Sequence, residues 1–474
     1  MKKNNFFVLL IILLAFISCE DFLEVDKVGE TSIPVFFSDM DGIRGAVPGA
    51  YSAVYKFYDS EFYLYPDAAS DLVNINSTGS ETKMVSQFNF QSEPDQESSA
   101  VGHIWLNGFK AIANLNNILE YHPKLLKEFP ESENELDQIK AQALFLRGLM
   151  NFDLVRVYAQ PFNFTDRADH IGIPIILKSP GPDKNAARET VGDVYVQILE
   201  DLEASLDIFE IQNLENISNS YFASKTAVEA LLSRVHLFMG NWGKAAQYSD
   251  EVMRKTSLAK RDDYIDMFRT RTEGEEAIFR LDGKLKSSAV GKFYALSGTV
   301  GYASDKLFDL FEGDSTDIRL DLFEREGANF KTLKYSRPEV SDSEYGQDLF
   351  VLRTSEIVLI NAEANVKLND FEKAKDGIKA IQSRAFGIEK DSIVLQENSE
   401  AQLLDLIEKE RMKELSFEGH RLFDLTRNQK GLERDDKSNS TIKKLQFPNH
   451  LFILPIPLGE INANENMIQN EGYE

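Results

Sequence analysis

Cysteine, tryptophan and histidine are scarce in this chain. Its 474 residues include one cysteine, two tryptophans and six histidines. A single thiol excludes a disulfide framework within the chain. The histidines stand singly, without an H-E-x-x-H or Cys/His spacing, so no metal site is predicted. G-x-S-x-G, Walker A and G-x-G-x-x-G sequences are also missing, so the sequence predicts neither a cofactor nor nucleophilic or phosphoryl chemistry.

Positive charge is scarce as well. Fifty-two Lys and Arg residues stand against 77 Asp and Glu residues, which gives a formal net charge of −25. Nucleic-acid binding and polybasic attraction to anionic lipid both need clustered cations, so both are excluded as main functions. A hydrophobic content of 43% with 27% charged residues is typical of a globular protein.

The N-terminus carries a targeting signal. Lys2 and Lys3 precede the apolar run Phe6–Ile17, which is shorter than the roughly 20 residues that a membrane-spanning helix needs. Cys19 follows this run and resembles the lipid-attachment cysteine of bacterial lipoproteins. Residues 1–18 are therefore predicted to be a lipoprotein signal peptide, with Cys19 as the lipid attachment site. An incidental cysteine beside an ordinary cleavage site is the alternative.

The fold class is predicted to be mainly α. Apolar residues recur at helical spacing over residues 100–122, 135–158 and 191–209. Predicted strands are few and short, and the best candidates are Ala277–Leu281 and Leu451–Ile456.

Two predicted helix pairs share a pattern. Residues 226–255 and 354–385 each contain two helices around a tight turn, and a shift of 129 positions (374 − 245) aligns Ala245 with Ala374. A small residue beside such a turn lets two helices approach closely, as in tetratricopeptide repeats. No regular 34-residue period exists, so irregular tetratricopeptide-like helix pairs with long loop insertions are expected.

The segment Glu410–Arg427 concentrates charged residues. Glu414 and Glu418 lie one helical turn apart and could act as a general acid and base. The alternative is structural, because three pairs of opposite charge have the spacing of helical ion pairs. These pairs are Arg411 with Glu414, Glu418 with Arg421 and Asp424 with Arg427.

This segment, ERMKELSFEGHRLFDLTR, resembles the C-terminal signature of the SusD/RagB family at every fixed position. The segments Leu451–Tyr473, Ala143–Phe162 and Leu352–Ala364 are similar to three further family motifs. Four positions depart from these motifs, namely Gly148, Asn151, Ala159 and Thr354. The resemblance covers essentially the whole chain after the signal peptide.

The resemblance implies a binding protein and not an enzyme. It implies a lipid-anchored protein of the cell outer membrane that faces the exterior, built from an N-terminal region (19–255) and a C-terminal region (256–474) packed as one globular unit. Its partners would be a SusC-like TonB-dependent barrel transporter and an oligosaccharide ligand. Three alternatives stay open: a RagB-type peptide binder, a scaffold that only seals its transporter, and a glycan hydrolase using Glu414 with Glu418 or Asp67 with Asp71.

The ligand is expected to contact aromatic and polar side chains of two insertions, 59–99 and 290–303, that share one surface. Both Trp105 and Trp242 are expected in the core, so Tyr and Phe rings would have to stack on a sugar. The candidate contacts are Tyr63, Tyr65, Asp67, Asp71, Asn74, Asn76, Phe88, Phe90, Phe293, Tyr294 and Tyr302. The alternative for each is packing within its loop, or solvation without any ligand contact.

Overall fold

Helices with an apolar face account for most of the described chain, which confirms the mainly α fold class. The computed structural model describes residues 32–76, 83–178, 185–211, 219–270, 274, 276–283, 288–295, 299–336 and 346–473. The long helix Ala100–Glu128 illustrates how the sequence sets these elements. The Ser99 hydroxyl accepts a hydrogen bond from the Val101 N–H at its start, and Ile104, Ile112 and Leu115 are buried along one face.

The helices are distributed over the described part of the chain. They are α1 (Ile33–Phe36), α2 (Met40–Phe57), α3 (Tyr63–Ala68), α4 (Val85–Phe88), α5 (Ala100–Glu128), α6 (Glu133–Tyr158), α7 (Val191–Ile211), α8 (Lys225–Phe238), α9 (Trp242–Met253), α10 (Arg261–Arg269), α11 (Ala289–Tyr294), α12 (Asp305–Asp309), α13 (Thr354–Lys367), α14 (Phe371–Phe386), α15 (Glu400–Leu415), α16 (Arg421–Arg427) and α17 (Leu458–Ala463). A π-helical turn covers Tyr58–Phe62, and short 3₁₀ turns lie at Pro130–Ser132, Phe162–Phe164, Ile318–Leu322, Lys390–Ser392 and His450–Phe452.

The chain divides into two compact units, Met1–Arg44 and Gly45–Glu474. In the first unit, the described residues form α1 and the start of α2. The second unit contains the remaining elements and most of the buried hydrophobic residues. Within the described part of the chain, no helix combines the length and the apolar character needed to cross a membrane.

The predicted helix pairs are confirmed. Helix α8 packs against α9, α13 packs against α14, and the two pairs meet where α9 contacts α13. Ala245 and Ala374 are fully buried, as the close approach of paired helices requires. Trp105 is in the core, but the expectation for Trp242 is wrong: its ring is only half-buried at the start of α9.

The described strands form four antiparallel two-stranded sheets. The strands are β1 (Val73–Ile75), β2 (Ala277–Leu281), β3 (Gly301–Ala303), β4 (Phe323–Glu326), β5 (Asn329–Thr332), β6 (Leu349–Arg353), β7 (Leu432–Glu433) and β8 (Lys444–Leu445). They pair as β1 with β3, β2 with β6, β4 with β5 and β7 with β8. The prediction for Ala277–Leu281 is therefore confirmed.

The second predicted strand, Leu451–Ile456, is wrong. This stretch begins in a 3₁₀ turn and then runs extended without a strand partner. Pro455 and Pro457 lack the N–H groups that a ladder requires, which explains why the apolar run does not join a sheet. Its backbone is instead held by a bond from the Leu454 N–H to the Val157 carbonyl, 2.9 Å long.

Candidate functional site

The two candidate catalytic carboxylates, Glu414 and Glu418, are buried in a cluster of cations. Arg353 bridges them, with Nη1 at 2.7 Å from Glu414 Oε1 and Nε at 2.7 Å from Glu418 Oε2. Arg384 Nη2 lies 2.7 Å from the other Glu414 oxygen, and Lys334 Nζ lies 2.6 Å from Glu418 Oε1. Both carboxylates are thus compensated by groups from other elements.

This pairing explains why neither carboxylate is suited to acid or base catalysis. Burial alone would raise the pKa of Glu414, but the guanidinium groups of Arg384 and Arg353 hold it well below its ordinary value. The pKa of Glu418 is likewise lowered, against the effect of burial, by Arg353 and Lys334. Both side chains remain ionised and have almost no contact with solvent, so a substrate has no route to them.

Two of the three expected local ion pairs are wrong. Only the Arg427 and Asp424 pair forms, at 2.8 Å, while Arg411 binds Asp424 rather than Glu414. Helix α15 ends at Leu415, and Gly419 has a φ of +77°. The chain turns between the two helices, so helical spacing does not apply to Glu418 and Arg421. Arg411 and Glu414 both lie in α15, but each binds partners outside this helix, Asp424 for Arg411 and Arg353 and Arg384 for Glu414.

The second candidate carboxylate pair, Asp67 and Asp71, anchors the first insertion to this segment. Arg421 donates to both oxygens of Asp71, at 2.7 and 2.9 Å. Asp67 accepts hydrogen bonds from the backbone N–H groups of Gly419 and Arg421, at 2.8 and 3.3 Å. Both carboxylates are buried, so neither is placed to contact a ligand.

The environments of these two acids shift their pKa values in opposite directions. Burial raises the pKa of Asp67 to about 7, because the backbone N–H groups compensate its charge only in part. Burial also opposes ionisation of Asp71, but the cations of Arg421 and Lys306 hold its pKa well below the ordinary value.

The structure confirms that the insertions 59–99 and 290–303 lie side by side. Strand β1 of the first pairs with β3 of the second, with Asn74 opposite Tyr302. Asp59 also accepts a hydrogen bond from Ser288, just before α11, at 2.8 Å.

The exposure expected for the aromatic candidates is wrong. All seven rings are buried, namely Tyr63, Tyr65, Phe88, Phe90, Phe293, Tyr294 and Tyr302. Their partners come from the insertions themselves and from other parts of the chain. Tyr294 stacks on Tyr335 with ring centroids 5.9 Å apart, and the guanidinium carbon of Arg434 lies 4.4 Å from the centroid of the Phe88 ring. Among the candidate contacts, only Asn74 and Asn76 are half-buried. In this conformation the seven rings are covered and do not form an open stacking surface.

An open pocket of about 440 Å³ lies elsewhere, where sequence reasoning placed no site. It is formed by the stretch after α6 and by the C-terminal segment, with Gln160, Phe164, His170, His450 and Glu471 among its lining residues. The sequence signals were the similarities of Ala143–Phe162 and Leu451–Tyr473 to family motifs, and these indicated scaffold rather than a cavity. Among the described residues, no three His, Cys, Asp or Glu side chains gather in a way that could hold a metal ion.

Comparisons with known proteins cover both parts of the chain. A family model described as "SusD family" matches residues 324–473, and one described as "Starch-binding associating with outer membrane" matches residues 21–237. The curated SusD-like protein P2 of Formosa agariphila is 24% identical to this chain over 531 residues, and the match covers 100% of both proteins.

Solved structures have the same fold. A SusD superfamily protein from Bacteroides thetaiotaomicron VPI-5482 is 24% identical, with a TM-score of 0.81 over 91% of this chain and 99% of that one. A "Laminarin binding SusD-like protein" is 19% identical, with a TM-score of 0.70 over 92% of this chain and 100% of that one. At these identities the likeness to the solved structures shows the fold.

Proposed function

Because the chain belongs to the SusD family, we propose that it is a lipid-anchored glycan-binding protein of the outer-membrane surface that passes oligosaccharides to a SusC-like TonB-dependent transporter. The observation that carries this proposal is the match of two models, one describing the SusD family and one starch binding at the outer membrane, to separate parts of the chain. The laminarin-binding protein of the same fold supports a glycan as the ligand class.

The buried charges favour binding over hydrolysis. A glycosidase needs two carboxyl groups that face the scissile bond across a cleft. Glu414 and Glu418 are instead enclosed with Arg353, and Asp71 is enclosed with Arg421. A hydrolase that uses either candidate pair would first have to break several buried ion pairs.

The anchor belongs to the proposal as well. Cys19 lies outside the described residues, so its role rests on its position directly after the apolar run of the signal peptide. Two acyl chains on this cysteine would hold the protein stably at the membrane, where a single chain would not.

A binding screen with the detergent-solubilised mature protein tests the ligand class. We expect micromolar dissociation constants for one class of oligosaccharide, about −8 kcal/mol, since a capture protein must also release its cargo. Release of reducing ends should stay at the level of a blank. Peptide binding without glycan binding would favour the RagB-type alternative, release of reducing ends would favour the hydrolase, and no ligand in either screen would favour a sealing scaffold.

A further inference from the structure

The open pocket of about 440 Å³ has a size typical of small-molecule sites, which span roughly 300–1,000 Å³. Two segments far apart in sequence build it. The Gln160 side-chain amide donates to the Asn449 carbonyl at 3.1 Å, and the Asn470 amide donates to the Tyr158 carbonyl at 2.9 Å. These cross-links hold the C-terminal segment against the end of α6, so the pocket is a fixed feature of the fold.

One wall presents an exposed aromatic ring. The side chain of Phe164 is 38% exposed although it packs against other rings. Its centroid lies 5.2 Å from that of His170 and 6.4 Å from that of Phe447. His170 is fixed in turn by contacts of its ring nitrogens with the Gln160 carbonyl at 3.1 Å and the Thr165 hydroxyl at 3.2 Å. The Phe164 ring is therefore held in place and still partly exposed, and such a ring can stack on the apolar face of a sugar.

Another part of the lining depends on a glycine. Gly472 has a φ of +88°, and a Cβ added there would lie 2.5 Å from Cγ of His450. The imidazole of His450 packs edge to face on Tyr473, with centroids 5.1 Å apart. A larger residue at 472 would force His450 to move, so this glycine sets the shape of the pocket.

The pocket lining includes a carboxylate. The Gln160 amide nitrogen donates to a carbonyl, which fixes the side chain, and its Oε1 is buried, so this oxygen does not face a ligand in the described conformation. Glu471 adds an exposed carboxylate. No Lys or Arg is among the described residues that line the pocket. A ligand that supplies hydroxyl donors and carries no negative charge fits this lining.

We propose that this pocket binds one or two units of a neutral oligosaccharide, with a sugar ring stacked on Phe164. The proposal rests on the glycan-binding function proposed above and adds two things to it, the place of the ligand and its lack of charge. It moves the binding surface away from the buried rings of the insertions 59–99 and 290–303.

Two pairs of variants test this site by calorimetric titration of the mature protein with neutral and uronic-acid oligosaccharides. Phe164→Ala removes the stacking ring, and Phe222→Ala removes a ring of similar exposure, 41%, elsewhere. Gly472→Ala displaces His450, which lines the pocket, and Gly313→Ala introduces the same backbone strain at a φ of +89° with no atom within 4 Å of the added Cβ. Phe164→Ala and Gly472→Ala should each weaken binding of the neutral ligand by about tenfold or more. For both controls, the dissociation constant of the neutral ligand should stay within about twofold of that of the unaltered protein, because a surface substitution ordinarily has a small effect.

The outcomes separate this site from the function on which it rests. If the unaltered protein binds a neutral oligosaccharide and Phe164→Ala binds it equally well, the pocket is not the site, while the glycan-binding function stands. Preference for uronic-acid ligands would overturn the neutral ligand class. If the unaltered protein binds none of the oligosaccharides, both proposals fail. Should Gly472→Ala not fold, the comparison of Phe164→Ala with Phe222→Ala decides the question alone.

Discussion

Arg353 shows how one residue organises the buried charges of the C-terminal signature. Its guanidinium contacts Glu276 at 2.6 Å, in addition to Glu414 and Glu418. The planar fork of arginine donates in several directions at once, which a lysine cannot do in the same geometry. Buried carboxylates are tolerated here because each has a cation within hydrogen-bond distance.

Removing Glu418 should therefore destabilise the protein strongly. Glu418→Ala leaves Arg353 and Lys334 without one of their partners inside the protein, and a broken buried pair typically costs about 3–5 kcal/mol. The free energy of unfolding in urea measures this loss. The control is Asp405→Ala, which breaks the exposed pair with Lys409 and should change stability by no more than about 0.5 kcal/mol. Equal stability of the two variants would contradict the structural role of the cluster.

Asp67 should make stability depend on pH near neutrality. Burial raises its pKa in the folded state to about 7, from an ordinary value of 3.8. The folded state then binds the proton more tightly, so the contribution of Asp67 to stability is largest at low pH and is lost as the pH rises towards 7.

The free energy of unfolding of the unaltered protein, relative to Asp67→Asn, should fall by up to about 1.4 kcal/mol per pH unit between about pH 5 and about pH 7. Urea titrations of both proteins across this range give the comparison. The substitution also replaces one hydrogen-bond acceptor by a donor, which changes stability at every pH. The test is therefore how the difference in free energy of unfolding changes with pH, and not the size of that difference at one pH. Parallel curves would show that Asp67 does not titrate in this range.

At the scale of the element, small residues decide how closely helices approach. Gly108 of α5 faces Leu154 of α6, and a Cβ added at Gly108 would lie 2.7 Å from the nearest Leu154 methyl. Gly243 of α9 is also helical, but it is exposed and an added Cβ would meet no atom within 4 Å. The two glycines thus separate the effect of packing from that of helix propensity.

Alanine at these two positions should change stability in opposite directions. Gly108→Ala should destabilise by about 1–3 kcal/mol, because Leu154 must leave its position in a close-packed interface. Gly243→Ala should stabilise by up to about 1 kcal/mol, because alanine loses less backbone entropy in a helix. Thermal unfolding of the two variants side by side gives both signs. A stabilised Gly108→Ala would mean that α5 and α6 are further apart than described.

At the scale of the whole molecule, we expect attachment of the protein to the membrane to depend on one atom, the sulfur of Cys19. Cys19→Ala should appear in the soluble fraction or accumulate unprocessed, because the acceptor of the lipid is gone. Cell fractionation and metabolic labelling with a fatty acid measure both. Cys19→Ser, which also lacks the thiol, is the matched variant and should behave in the same way. Fatty-acid label that persists on Cys19→Ala would contradict the anchor.

Local patterns determined the helices and their pairing. Helix α6 begins two residues before its predicted start, and Ala245 and Ala374 are buried in paired helices as their shared pattern indicated. These features depend on periodicity within a few turns and on short turns between neighbours, so the sequence contains them directly. The family resemblance, too, rests on short runs of residues that can be compared one by one.

Only the tertiary structure decided which distant charges pair and which rings are covered. Asp71 and Arg421 are 350 positions apart, so no spacing rule connects them. From the sequence, the rings of the insertions were expected to be exposed, because their partners come from other parts of the chain. Tyr335, the partner of Tyr294, is an example. The pocket beside Phe164 has the same origin, since Gln160 and Asn449 are 289 positions apart. Burial and cavity shape depend on contacts between distant segments, so they cannot be predicted from the periodicity of one segment.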